Sequence, residues 1–369
     1  MTASVSVMTA GLLALLLRRW RWQPRDNALA VVNAVFAVFA LGSAAIVWSR
    51  GDQLPEMEQF LPFLGAALLG VGFRVLHFPA HLAALAFATG AIAGAAVCLW
   101  QVLSAPGITR AEISMHSTHL GTIGALYAVL CASGAVWAAL PGKQRSILAL
   151  GALAGMVIAL LSGSKGSWLV LVVATPPLFV AAAARLGWQR STVALAILLA
   201  LMAVAALVPN SPVLPRIKEM GATGDPLRSA YWSEASTLFK RNPLLGGGRK
   251  ALREQLMGAS LQVRQGTPLE EAPNDAHNEY LDVLATRGVA GLALTFSALI
   301  VPFAIFCHIR KNPGARAAAN TGMLFIFAFA VAGLTDVQFA VNMKRMLYLF
   351  TVVLLLATAT TAQPVPAAK

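Results

Sequence analysis

Residues 273–282, PNDAHNEYLD, place one imidazole among short-range acids and amides: Asp275, Asn278 and Glu279 all lie within two positions of His277. An imidazole that ordinarily titrates near 6.5 is matched to taking a proton from a sugar hydroxyl, a contribution of about 10²–10⁴-fold. Asn278 is placed to cap a following helix or to bind a hydroxyl. Asp275, Glu279 and the more distant Asp336 are candidates to orient the ring, and spacing does not choose among them. A base of this kind needs a counterpart, cations that take up charge on a departing group. In LLGGGRKALREQL, residues 244–256, three glycines precede a helical pattern that opens with Arg249 and Lys250. Glycines let a backbone approach an anion, helix N-termini attract one, and a guanidinium grips two of its oxygens. The same letters also describe a glycine turn before a solvated basic helix. LLSGSKGSW, residues 160–168, sets Lys165 in a turn of small residues, as a phosphate contact or as a lysine snorkelling from a helix end. ITRAEISMHSTHLG, residues 108–121, supplies Arg110 as a further anion contact. Its His116 and His119 are spaced to share a metal, but no third zinc-type ligand stands beside them. A metal alternative for the main site uses Glu270, Glu271 and Asp275 as oxygen ligands for Mg²⁺ or Mn²⁺.

These residues must be positioned by membrane-like elements. Of 369 residues, 58% are hydrophobic and 12% charged, and the mean hydropathy is +0.70. No water-soluble fold hides that much apolar surface, so the fold class is an all-α polytopic membrane protein. Apolar runs near 2–17, 27–49, 59–76, 80–101, 119–140, 146–161, 167–184, 191–209, 289–309, 319–334 and 345–362 predict 11 crossings, or 12 if one long run hides a second. The chain thus divides into helices 1–8 over 1–209, a polar and partly helical loop over 210–288, and C-terminal helices over 289–369. The first run has its basic residues after the apolar stretch rather than before it, which predicts a retained helix rather than a cleaved signal.

Orientation follows from Lys and Arg in the short connections. With Arg18, Arg19, Arg21 and Arg25 inside, the inside segments hold 13 basic residues against one acid, and the outside segments hold 15 against 14. Nearly all of the formal charge of +13 is therefore a topology signal. It points to no nucleic acid, although it does favour anionic membrane lipid on the inner leaflet. The polar loop falls on the outer side, which in a bacterial inner membrane is the periplasmic face. No acid, lysine or arginine stands near the middle of a predicted crossing, where ion-coupled carriers keep such groups. An interfacial enzyme fits better than a lipid-linked glycan flippase. Cys98, Cys131 and Cys307 all fall within apolar runs and read as small hydrophobes.

Three segments in order, SGSKGSW, RSAYWSEASTLFKRNPLLGGG and HNEYLDVLATRGVAGL, together resemble the O-antigen ligase and polymerase superfamily over roughly 110–309. The resemblance implies a metal-independent, inverting membrane glycosyltransferase without a cofactor. Its implied donor is a glycan on undecaprenyl pyrophosphate. It implies that Arg249, and Lys165 in the SGSKG turn, engage the pyrophosphate, with Arg110 as the further anion contact read from its loop, and that His277, the catalytic base beside Arg249, assists an acceptor hydroxyl. Lys165 stands where the family usually has arginine, which keeps the charge but loses the fork. The first histidine of the family's His-x-His-Asn pattern is Asp275 here. The modest length and single large loop favour an O-antigen ligase, with lipid A-core as acceptor. Polymerases of O-antigen or exopolysaccharide and protein O-oligosaccharyltransferases are the alternatives. The family's usual 12 helices exceed the count of 11 by one.

Overall fold

The computed structural model describes residues 27–104, 110–113, 115–207, 211–221, 225–263 and 273–359. The predicted crossing at 2–17 and the metal candidates Glu270 and Glu271 lie outside the described residues. Among the described residues the regular structure is all helix, in chain order α1 (Asn27–Ser49), α2 (Leu54–Glu58), α3 (Leu61–Val75), α4 (Ala80–Ser104), α5 (Ser117–Trp137), α6 (Gly142–Leu161) and α7 (Lys165–Leu186). There follow α8 (Trp188–Leu207), α9 (Val213–Gly221), α10 (Pro226–Arg241), α11 (Arg249–Val263), α12 (Glu279–Ile309), α13 (Arg316–Ala332) and α14 (Asn342–Ala359). Seven of these, α1, α4, α5, α6, α7, α12 and α14, are long and apolar enough to cross a membrane. The protein is an all-α polytopic membrane protein, because only helices satisfy every backbone group within one apolar segment.

Two boundaries differ from the hydropathy pattern in ways that matter for chemistry. The run expected at 289–309 begins ten residues earlier, at Glu279. The Asn278 side chain accepts from the N–H groups of Tyr280 and Leu281 at 3.0 and 3.1 Å, and Glu279 and Asp282 occupy the first turn, so a cap and favourable charge start the helix in polar sequence. The final helix begins at Asn342, which draws Lys344 and Arg345 out of the expected connection and into a buried first turn.

The helices group into two units. Of the described residues, one unit holds those up to Phe78 and those within Thr223–His308 and Gly333–Thr361; the other holds those within Pro79–Ala222 and Ile309–Ala332. In the second unit α4, α5 and α6 close around Ala91, Ala95, Cys98, Ala154 and Ile158, small and β-branched side chains that let helix surfaces approach. In the first, α1, α3 and α14 meet at an aromatic cluster. Phe36 lies 5.6 Å edge-on from Phe63, and Phe339 lies 5.3 Å from Tyr348. Such pairs add about 0.5–1.5 kcal/mol each beyond burial.

Within the first unit, α10 and α11 pack through Tyr231, Ala235, Leu238, Leu252 and Leu256. The turn between them docks on a kink in α12. Gly288 leaves helical geometry there, with φ 64° and ψ −163°, and the freed backbone pairs with the turn. The N–H groups of Gly247 and Gly248 donate to the carbonyls of Ala285 and Thr286 at 2.7 and 3.1 Å. Those of Val289 and Ala290 donate to Pro243 and Leu244 at 2.9 and 3.1 Å. Gly246, at φ 70°, passes so close that a Cβ would stand 2.3 Å from the Thr286 carbonyl carbon. Left-handed strain of about 1–2 kcal/mol and overpacking of about 1–3 kcal/mol act together there. Gly246→Ala is therefore expected to lower the thermal unfolding midpoint of the purified protein by several degrees, and an unchanged midpoint would show that the contact is not maintained in solution.

Candidate active site

His277 sits in the segment 273–278 that leads into α12. Its backbone is left-handed, with φ 50°, a conformation costly outside glycine and frequent where a side chain is held for function. Local bonds enforce it. His277 N–H donates to Asp275 Oδ1 at 2.9 Å, and Ala276 N–H donates to Asp282 Oδ1 at 3.2 Å. The Trp232 indole N–H donates to the Ala276 carbonyl at 3.0 Å. The imidazole lies nearly parallel to the Tyr231 ring, with centroids 6.2 Å apart.

The ring's two nitrogens meet different surroundings. Nδ1 is buried, 3.4 Å from Asp275 Oδ1 and 3.7 Å from Asp336 Oδ1, and among the described residues it has no hydrogen-bond partner. The side chain is 40% exposed, so the open edge is that of Nε2. Asp336 chiefly, then Asp275, stabilises the imidazolium against the effects of burial and of Arg228, and His277 titrates above its ordinary value. Burial raises the Asp275 carboxyl, with the neighbouring His277 opposing the shift. Asp336 is itself buried, and its Oδ2 accepts from the ammonium of Lys344, which also donates to the Val337 carbonyl at 2.8 Å.

Arg249 occupies the first turn of α11, and its fork is engaged within the protein. Nη1 and Nη2 grip the two oxygens of Asp282 at 2.8 and 2.6 Å, and Nη1 also reaches the Asn274 carbonyl at 3.1 Å. Burial opposes the guanidinium charge, but Asp282 outweighs it, so this arginine is held protonated more firmly than an ordinary one. The helix N-terminus beside it is also filled, since Asp52 accepts from the N–H groups of Arg249 and Lys250 at 2.9 and 3.1 Å. The glycines of LLGGG thus serve backbone docking, and the donors expected to cradle an anion are bonded to the chain's own carboxylate. Glu56 bridges Arg253 at 2.8 Å and approaches Arg249 at 3.9 Å. Beneath this layer a cavity of about 20 Å³ is lined by Asp52, Glu56, Arg249, Glu279, Asp282 and Arg287 among others. That is about the space of one water molecule with polar partners.

The structure therefore gathers His277, Asp275, Asp336, Asn278, Glu279 and Arg249 in one unit, in distinct tasks. Asn278 caps α12 and donates to the Leu334 carbonyl at 3.0 Å. Glu279 turns away from the imidazole and accepts from the N–H groups of Gln338 and Phe339 at 2.6 and 3.2 Å. Lys165 and Arg110 belong to the other unit. There Arg110 Nε donates to the Ser162 carbonyl at 2.9 Å and packs 3.5 Å from the Cβ position of Gly163, two residues before Lys165 opens α7. His116 caps α5, accepting from Thr118 N–H at 3.4 Å, and its ring centroid is 6.1 Å from that of His119.

Sequence spacing missed Asp282, Asp52, Arg287 and Lys344. Arg287 lies over the rings of Phe60 and Phe39 at 5.2 and 5.8 Å and donates to Ser43 at 2.8 Å. The available signal was a charge next to apolar sequence, at ATRGVAGL and VNMKRML, because buried charges are retained only when paired.

The donor atoms of Asp275, His277 and Asp336 lie within 4.8 Å of one another, a metal-compatible spacing. The donor set argues otherwise: Asp336 already has a cation on Oδ2, and a second one would face the Lys344 ammonium across a single carboxylate.

A search of curated proteins finds no match. Residues 147–296, which include the SGSKGSW turn, α10, α11 and the start of α12, match the family model described as O-Antigen ligase, a match that supports the O-antigen ligase superfamily for that segment.

Proposed function

We propose that the protein is a membrane glycosyltransferase that moves a glycan from undecaprenyl pyrophosphate to the terminal core sugar of lipid A-core at the periplasmic face of the bacterial inner membrane. The observation that carries this reading is the His277 geometry: Nδ1 turned to two carboxylates and the Nε2 edge open, within the segment that matches the family. In that arrangement Nε2 takes the proton of the attacking hydroxyl, the new glycosidic bond forms as the bond to pyrophosphate breaks, and the carboxylates stabilise the imidazolium that results. Attack opposite the leaving group inverts the anomeric carbon. No metal takes part in this scheme.

Arg249 acts in its own unit by fixing Asp282, and through it the backbone of 274–276, so it holds the base in place. Arg110 and Lys165 are proposed phosphate contacts of the other unit, where Arg110 bonds the Ser162 carbonyl of the turn that Lys165 follows.

The test is transfer by purified protein from a lipid-pyrophosphate glycan, with lipid A-core present and with or without chelator. A product on lipid A-core that is unaffected by chelator is expected. Elongated lipid-linked glycan instead would make the protein a polymerase, and loss of product in chelator with recovery on Mg²⁺ or Mn²⁺ would overturn the metal-free scheme.

A further inference from the structure

Lys344 is a lysine with no exposed surface in the first turn of α14, eight residues after Asp336. Burying an ammonium is expensive, and it persists in proteins where a carboxylate and further oxygens receive its protons. Two of its protons have such acceptors, Asp336 Oδ2 and the Val337 carbonyl at 2.8 Å. The consequence reaches His277 because the Asp336 carboxylate is used on both sides. Oδ2 is held by Lys344, while Oδ1 accepts from Val337 N–H at 3.0 Å and faces His277 Nδ1 at 3.7 Å. The turn that carries Asp336 is anchored in the same unit, where Gln338 and Phe339 N–H groups bond Glu279 and the Gly333 carbonyl accepts from Glu279 N–H at 2.8 Å.

We propose that Lys344 is a positioning residue for the transfer reaction: it fixes the Asp336 carboxylate, in charge and direction, as the support for the His277 imidazolium. This rests on the reading of His277 as the base and adds to it the cation that makes the support work. A carboxylate buried as deeply as Asp336 and stripped of its cation is better protonated than charged. A protonated Asp336 no longer favours imidazolium. Among the described residues, the groups facing His277 are then Asp275 on its own connection and Arg228 and Tyr231 on α10, and Asp275 is the remaining acid beside the ring.

Lys344→Met is thus expected to lower the titration midpoint of His277 by about one pH unit and to reduce turnover about tenfold, with little change in KM for the donor. Because removing one partner of a buried pair can unfold a protein, the paired variant Asp336→Asn/Lys344→Met, which leaves no lone buried charge, is made beside it. The readout is histidine NMR of the full-length protein in lipid nanodiscs, with the His277 signal assigned by its loss in His277→Ala. Equal downward shifts in the single and paired variants, or a downward shift in the paired variant where the single does not fold, support the proposal. A wild-type midpoint in the paired variant overturns it, as does a raised midpoint in Lys344→Met. Failure of the base reading is seen separately, as transfer retained in His277→Ala, since the titration does not depend on turnover.

Discussion

His277→Ala is expected to lower transfer by about 10²–10⁴-fold while leaving the fold and the donor complex close to wild type. The ring contributes little to packing: the side chain is 40% exposed, and its neighbours are a parallel Tyr231 and two carboxylates at 3.4 and 3.7 Å from Nδ1. Removing it therefore takes away an interaction made when the hydroxyl proton is transferred, so kcat falls rather than KM rising. The pH profile carries the same signature. A base works in its neutral form, and Asp336 and Asp275 favour the imidazolium, so the rate rises with pH around a midpoint above the ordinary 6.5. The stabilisation of the fold by that imidazolium runs the opposite way: it is complete below 6.5 and is lost as pH rises through the elevated value. Single-turnover transfer between pH 5 and 9 measures the profile. Near wild-type turnover in His277→Ala, or a rate that does not change with pH, removes the imidazole from the chemistry.

Breaking the Arg249–Asp282 pair is expected to have an effect of similar size by a different route. Both partners are nearly buried, at 11% and 4% side-chain exposure, and the fork is bidentate. Removing one side of such a pair costs about 3–5 kcal/mol, because the other charge is left without a partner. Asp282 Oδ1 also holds Ala276 N–H, and Arg249 holds the Asn274 carbonyl, so the connection that carries His277 loses its clamp. Arg249→Lys keeps the charge and loses the fork, and should lower both the unfolding midpoint and the transfer rate. The paired variant Arg249→Met/Asp282→Asn should regain much of the stability and little of the transfer, as the backbone of 274–276 is still unanchored. A direct phosphate contact predicts another pattern: Arg249→Lys with an unchanged unfolding midpoint and a raised donor KM. That result would return Arg249 to the leaving group.

The sequence alone determined the fold class, because 58% hydrophobic residues in long runs have one solvent in which backbone groups can be satisfied, and ten of the eleven runs coincide with helices in the structure. It also determined the cluster around His277 at short range, since Asp275 and Asn278 bond the neighbouring backbone through local turns that residue type dictates. It did not determine partnerships across long separations. Asp336 was one of three acids that could serve the imidazole, and only the packing of the 333–341 turn against the start of α12 brought it to Nδ1 and sent Glu279 elsewhere. Arg249 and the glycines before it look the same in sequence whether they face a phosphate or the protein. In the structure the fork meets Asp282, 33 residues away, and the backbone N–H meets Asp52, 197 residues away, partners that the fold places within reach and that spacing does not reveal. Lys344 shows the same limit: a lysine at the edge of an apolar run reads as a topology mark, and its pairing with Asp336 appears only when helix α14 starts three residues earlier than hydropathy predicts.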